Sequence, residues 1–209
     1  DNNQYYCDVD GVLYDKNVTT LICYPASKAG TNYDVLSTVK TIEEYAFRFG
    51  TNLTSVTIPE TVTSIGRNAF DDCDNLTIID VDDSNQSYCD IDGILFDKNV
   101  TTLIKCPENK SNISVYTIPS TVKTIEEYAF ERCTNLQSIT IPASVVRIGF
   151  YAFSEVDNLY SAIFEDVKTS WTLDYYTSTQ TISTTSLQNS STMASTIRRN
   201  PGCTWTKNI

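Results

Sequence analysis

Leu53-Thr54-Ser55-Val56-Thr57-Ile58-Pro59-Glu60-Thr61-Val62-Thr63-Ser64-Ile65-Gly66-Arg67-Asn68-Ala69-Phe70-Asp71-Asp72-Cys73-Asp74-Asn75-Leu76 decides the fold, because its apolar positions recur at an interval of 23 residues. Val39, Ile42 and Phe47 return as Val62, Ile65 and Phe70, and Val122, Ile125 and Phe130 return as Val145, Ile148 and Phe153. The strand-like part keeps the same step. Leu53, Val56 and Ile58 precede Leu76, Ile79 and Val81, while Ile113, Tyr116 and Ile118 precede Leu136, Ile139 and Ile141, then Leu159, Ala162 and Phe164. A unit this short cannot shield its apolar side chains alone, so neighbouring units must cover them and the stack buries one core.

Each unit is readable locally. Val56 and Ile58 point inward and Ser55 and Thr57 outward in a short strand, and strands stacked from unit to unit make a parallel sheet. Pro59, Pro119 and Pro142 end the strands, since proline lacks a ladder N–H. The Val-x-x-Ile-Gly stretch turns the chain, with Gly66 and Gly149 expected at tight or left-handed positions. Glu43 to Phe47 and its equivalents read as one helical turn, and Ala46, Ala69, Ala129 and Ala152 stay small for close stacking. Phe47, Phe70, Phe130 and Phe153 form the expected spine.

A longer duplication surrounds this period. Residues 6–22 recur as 88–104, from Tyr6-Cys7-Asp8-Val9-Asp10-Gly11 against Tyr88-Cys89-Asp90-Ile91-Asp92-Gly93 to Leu21-Ile22 against Leu103-Ile104. Residues 38–47 recur as 121–130, one residue further apart. Gly93 to Ile104 has two apolar runs around a polar turn and reads as an inserted hairpin, which accounts for the long step from Leu76 to Ile113. Its counterpart, Val12 to Ile22, is expected to help cover the N-terminal end of the stack. After Phe164 the repeat decays. The period places Trp171 at the Ile148 position, Tyr176 at the Phe153 position, and Ile182, Thr185 and Leu187 at strand positions.

The expected fold class is thus an α/β solenoid with a parallel β-sheet, short helical or irregular turns and inserted β-hairpins. Its expected extent is residues 1–190, including a degenerate C-terminal capping repeat, with residues 191–209 a tail of uncertain order. The opening inside a recurring pattern suggests a piece of a longer chain whose export signal or anchor lies outside the 209 residues.

Composition narrows the function. Acidic residues outnumber basic ones by 26 to 15, a net charge of −11, which disfavours nucleic acid and anionic lipid. Arg198-Arg199 is too small a basic patch to reverse that. No apolar stretch has the length of a membrane span, so direct membrane insertion is not expected. The chain has no histidine, which removes Cys-His and Ser-His-Asp arrangements and the commonest zinc ligand. Asp8 and Asp10, repeated as Asp90 and Asp92, resemble paired carboxylates or calcium ligands, but their duplication beside glycine favours a turn. The acidic run Asp80 to Asn85 reads as a solvated loop. No cofactor and no catalytic residue is expected. The seven cysteines are odd in number, and Cys73 and Cys133, three residues after Phe70 and Phe130, read as packing residues.

The string Leu53 to Leu76, with Ile125 to Pro142, closely resembles the BspA-like leucine-rich repeat, also called the Treponema pallidum type. Asp92-Gly93-Ile94-Leu95-Phe96 followed by Thr102-Leu103-Ile104 resembles the longer variant that interrupts such arrays. The resemblance covers about residues 5–165. Gly50 and Val156 depart from it at the Cys73 and Cys133 position, and the last 40 residues follow it only by period. Members occur on oral and gut bacteria and on the protist Trichomonas vaginalis, and the Asn- and Thr-rich wording here is most similar to the protist set. The resemblance implies a surface or secreted protein that binds host matrix proteins or other cells.

The expected function is therefore adhesion to a host matrix protein, cell-surface protein or glycan, from an extracellular or cell-surface position. The candidate face is the outward row Ser55, Thr57, Ser138, Thr140, Tyr160 and Ile163. The alternative is a non-catalytic spacer that presents another domain. Eight Asn-x-Ser/Thr sequons, at Asn17, Asn52, Asn75, Asn85, Asn99, Asn109, Asn112 and Asn189, exceed the roughly four expected from the composition and favour an exported glycoprotein.

Overall fold

A computed structural model describes residues 3–174, 178–199 and 202–208, which divide into two units, 1–98 and 99–209. In the first, strands β1 (Tyr6–Val9), β2 (Val12–Asp15) and β3 (Thr20–Cys23) form an antiparallel meander. They are followed by β4 (Asn32–Asp34), β5 (Thr41–Ile42), β6 (Ser55–Ile58), β7 (Ser64–Ile65) and β8 (Ile78–Val81). β4, β6 and β8 pair in parallel, with Val56 beside Tyr33 and Ile79, as the 23-residue step requires. The Thr-Ile and Ser-Ile steps form a second parallel ladder, β3-β5-β7, where only a turn was expected. A hairpin of β9 (Tyr88–Ile91) and β10 (Ile94–Asp97) completes the unit. It turns at Asp92-Gly93 and precedes the segment read as a hairpin; in the earlier copy that hairpin, Val12 to Ile22, is the antiparallel pair β2-β3 around the polar turn.

Asp10-Gly11 and Asp92-Gly93 both carry positive φ, 49° and 77° in one copy and 54° and 74° in the other. That is the backbone of a type I′ hairpin turn, so the duplicated Asp-Gly steps follow from strand twist. Asp90 adds a local role, accepting hydrogen bonds from the Gly93 and Val81 amides at 2.8 and 3.0 Å.

The second unit contains β11 (Thr102–Lys105), β12 (Val115–Thr117), β13 (Thr124–Ile125), β14 (Ser138–Ile141), β15 (Arg147–Ile148) and β16 (Ser161–Phe164). Strands β12-β14-β16 form one parallel sheet and β11-β13-β15 the other. Then come β17 (Trp171–Asp174), β18 (Thr179–Ile182), α1 (Thr184–Leu187), α2 (Ser190–Arg199) and β19 (Thr204–Lys207). Here the period misleads. Ile148 lies beside Trp205 of β19, which inserts antiparallel between β15 and β17; Trp171 is one strand further away. Ile182 ends a strand, whereas 185 and 187 belong to α1; the expected Tyr176 position lies outside the described residues. The amphipathic helix α2 buries Met193, Ala194 and Ile197 and packs on β16.

The core follows the repeat. Val39, Ile42, Val62, Val122, Ile125 and Val145 are completely buried, as are Phe47 and Phe130. Phe47 stacks on Phe70 at 5.2 Å and Phe130 on Phe153 at 5.1 Å, so each unit has its own aromatic file. The segments after β5, β7, β13 and β15 are irregular turns, without helix. Tyr45, Phe49, Asn68, Asp72, Tyr128, Arg132, Tyr151 and Glu155 all have φ between 53° and 62°. This alternation aims amides along the stack: Phe47 N donates to Ala69 O and Phe130 N to Ala152 O, each at 2.8 Å. Those bonds offset a left-handed cost of roughly 1–2 kcal/mol per residue.

Gly66 and Gly149 are tight but not left-handed. A Cβ on Gly66 would lie 2.3 Å from Glu44 N, and one on Gly149 2.4 Å from Glu127 N.

An ion pair anchors β19. Lys207 Nζ lies 2.6 Å from Asp166 and donates to Ala143 O at 2.7 Å. The Lys207 hydrogen bond, followed by the Lys168 amide, holds the Asp166 carboxyl well below the usual carboxylate range. Its folded value is thus depressed below the unfolded one, so its contribution is complete above the ordinary carboxylate range and fades as pH falls through the folded value. Asp166→Asn is expected to lower stability by about 2 kcal/mol at pH 7. In urea unfolding repeated at decreasing pH, the gap between native and variant chains should close, and a gap independent of pH would contradict this account.

Candidate binding face

The outward residues fall on two three-stranded sheets, one in each unit. In the first, the register sets Asn32 and Asp34 beside Ser55 and Thr57, and these beside Ile78 and Asp80. Ser55 and Thr57 are half-buried in the middle of the row, between exposed Asp34 and Asp80. Partial desolvation against the sheet, reinforced by Asp90, Asp83, Asp82 and Asp34, raises the Asp80 carboxyl above the usual range although the side chain stays exposed. β8 does not open onto a further parallel strand. Ile79 N donates to Gly93 O at 3.0 Å and Val81 N to Asp90, so the hairpin occupies that edge and bounds the face.

In the second unit Ser138 and Thr140 lie between Val115 and Thr117 on one side and Ser161 and Ile163 on the other. No charged side chain interrupts these six outward positions. Val115 is 71 % exposed and Ile163 45 %, apolar surface that the core does not use. Tyr160, 59 % exposed, precedes β16, its amide bonded to Gln137 O at 2.9 Å, so it flanks the strand and Ser161 takes the first outward position. The two rows therefore differ chemically. One is acidic and polar; the other is uncharged, hydroxyl-bearing and partly apolar.

The sequons separate by environment. Asn85 has no exposed surface; its amide nitrogen donates to Pro59 O and Val62 O at 2.8 and 3.0 Å, and its oxygen accepts from Ser87 N and Tyr88 N. A glycan on that nitrogen has no room in the folded chain, which removes Asn85 from the acceptor set. Asn52 and Asn75 are exposed, yet their amide nitrogens reach back to Lys28 O and Thr51 O. Asn135 and Asn158, which are not in sequons, make the same bond to Lys110 O and Thr134 O. An asparagine at this place is hence a rung between coils, a role hidden in the sequence. Threonines add parallel rungs, with Thr54 Oγ1 donating to Thr31 O and Thr77 Oγ1 to Thr54 O. Asn17, Asn99, Asn109 and Asn112 are exposed; Asn189 is exposed and caps α2 through the Thr192 amide.

Among the described residues no group of three or more Cys, Asp or Glu side chains is arranged to hold a metal ion. Asp82 in the acidic run instead accepts the Ser84 amide. Cys73 and Cys133 are completely buried, with Cys73 Sγ 3.1 Å from Phe47 O.

The profile of the BspA type leucine rich repeat region, in six copies, matches residues 23–116 and 105–199. The chain belongs to the BspA type leucine rich repeat family. Two solved structures illustrate the BspA type fold. A leucine rich cell surface protein from Faecalibacterium prausnitzii A2-165 is 31 % identical over 66 % of this chain and 42 % of its own, with a TM-score of 0.57. The pneumococcal vaccine antigen PcpA is 24 % identical over 63 % of this chain and 38 % of its own, with a TM-score of 0.56. The aligned region thus spans about two fifths of either protein. No curated protein matches the chain. Among the described residues no helix is long and apolar enough to cross a membrane.

Proposed function

We propose that the chain is a non-catalytic, extracellular or cell-surface adhesion module whose outward sheet rows bind a host matrix protein, cell-surface protein or glycan. The observation that carries this reading is the second unit's row, where Val115 and Ile163 expose apolar surface beside Thr117, Ser138, Thr140 and Ser161. Apolar contact flanked by hydroxyl donors and acceptors suits a protein or glycan surface. Similarity to a cell surface protein and to a vaccine antigen supports the location. The Asn- and Thr-rich wording supports an origin in the protist branch, and the exposed sequons support glycosylation. The repeat solenoid is taken to extend over residues 1–190; of the segment 191–209, read from the sequence as a tail of uncertain order, α2 and β19 belong to the folded second unit.

The test is binding of the secreted, glycosylated chain to immobilised matrix proteins, mucins and epithelial cells. Thr140→Arg, and separately Thr57→Arg, are expected to reduce binding at least tenfold while circular dichroism stays native, because a long cation in mid-row blocks contact on either side. Retained binding in both variants would refute the sheet-face reading. Absence of binding to every surface would favour a spacer that presents another domain.

A further inference from the structure

The second unit contains a cysteine pair that the first lacks. Cys106 and Cys133, 27 residues apart in sequence, are both completely buried. Cys106 Sγ lies 3.6 Å from the Pro107 carbonyl oxygen, and Cys133 Sγ lies 3.7 Å from that same oxygen and 3.6 Å from Cys106 O. Two sulfurs gathered on one carbonyl, from segments on successive passes of the chain, are neighbours. Burial first, and then contact with the Cys133 thiol, raises the Cys106 thiol well above its usual range. In the earlier copy the Cys106 position is Tyr24, whose amide makes the equivalent bond to Ala46 O and whose ring is buried, and the Cys133 position is Gly50. A Cβ at Gly50 would lie 2.9 Å from Phe47 O and 3.0 Å from Leu53 Cδ1, so that turn leaves little room for a side chain.

Adjacent segments strengthen the placement. Cys106 N donates to Ala129 O at 2.7 Å, and Lys105 Nζ reaches Tyr128 O at 3.2 Å. Glu108, itself buried, lies 3.8 Å from Lys105 and 3.7 Å from Arg132. The residue before each cysteine is thereby tied to one carboxylate, which fixes the two backbones against each other.

We infer that Cys106 and Cys133 form a disulfide that staples one coil of the second unit to the turn of the next. The oxidant is a low-molecular-weight disulfide, such as oxidised glutathione. One cysteine thiolate attacks it, forming a mixed disulfide and releasing one reduced thiol; the other cysteine thiolate then attacks the mixed disulfide and releases the second. Two protein thiols lose two electrons and two protons, and the oxidant becomes two thiols. The exchange belongs to folding in an oxidising compartment, before burial suppresses the thiolates. It would hold whether or not the sheet rows bind a host surface.

Trypsin cleavage after Lys105, Lys110, Arg132 and Arg147 releases the cysteines at the heads of peptides 106–110 and 133–147. The full chain, folded with reduced and oxidised glutathione and alkylated in denaturant without reductant, is expected to yield these peptides joined, two hydrogens lighter than their sum and separable by reductant. Reductant should also lower the thermal midpoint by on the order of 10 °C. Cys133→Val, which installs the residue that Val156 supplies one coil later, should remain folded, leave Cys106 alkylated and abolish the reductant effect. Alkylation of both cysteines in a natively folded chain, a link from Cys106 to any other cysteine, or a midpoint indifferent to reductant would overturn the inference.

Discussion

Replacing Phe130 with alanine is expected to lower the stability of the second unit by about 3–5 kcal/mol. The ring has no exposed surface, stacks on Phe153 at 5.1 Å and meets Tyr116 at 6.0 Å, so truncation loses its transfer energy and leaves a cavity lined by rings that cannot collapse inward. Both tryptophans, Trp171 and Trp205, lie buried in the same unit, which makes fluorescence in urea a direct readout. A thermal midpoint should fall by on the order of 15 °C or more. A loss below about 1 kcal/mol would mean that the aromatic file is incidental to the stack.

Gly149→Ala should have nearly as large an effect, about 3 kcal/mol. The added carbon would sit 2.4 Å from Glu127 N and 2.6 Å from Glu126 C, backbone atoms of the preceding coil that cannot rotate away. Relief requires the coils to separate, which strains the 2.8 Å bond from Gly149 N to Ile125 O. Replacing glycine by alanine at an unstrained site stabilises by restricting the unfolded chain, so a destabilised variant reports the close approach itself. Gly11→Asn provides the contrast: at φ 77°, with nothing within 4 Å of the new carbon, it should cost under about 1 kcal/mol. Comparable losses at both positions, measured by urea unfolding, would contradict the steric account.

The parts of the fold legible in the sequence are those that repeat. The Val-Ile-Phe triplets and alternating strand residues recur because the same sockets recur, and their burial and register follow the 23-residue step. Ser55, Thr57, Ser138 and Thr140 could be placed on outward rows for that reason. Tyr160 falls outside the row, because the 23-residue step from Ser138 leads to Ser161, where the strand begins.

The left-handed turns left no trace. Tyr45, Phe49, Tyr128 and Glu155 are residue types that ordinarily avoid such backbone, and they adopt it here because amides must reach the next coil. Gly149 signalled a constraint but not its kind. The insertion of β19 was equally silent, since an antiparallel partner from far downstream shares no interval with β15. Asn135 and Asn158 drew no attention because they lack a sequon, although they reveal why Asn52 and Asn75 are asparagine.

The late-arriving β19 strand imposes an order on assembly. On a growing polypeptide, the hydrogen-bonding edge of Arg147–Ile148 is finished long before Thr204–Lys207 has been made. During that interval the nascent sheet presents an unsatisfied ribbon to its surroundings, the kind of surface through which polypeptides recruit one another. Translation that stalls between the two strands would consequently release a product prone to self-association, and chaperone demand for this chain should peak during that stretch of synthesis.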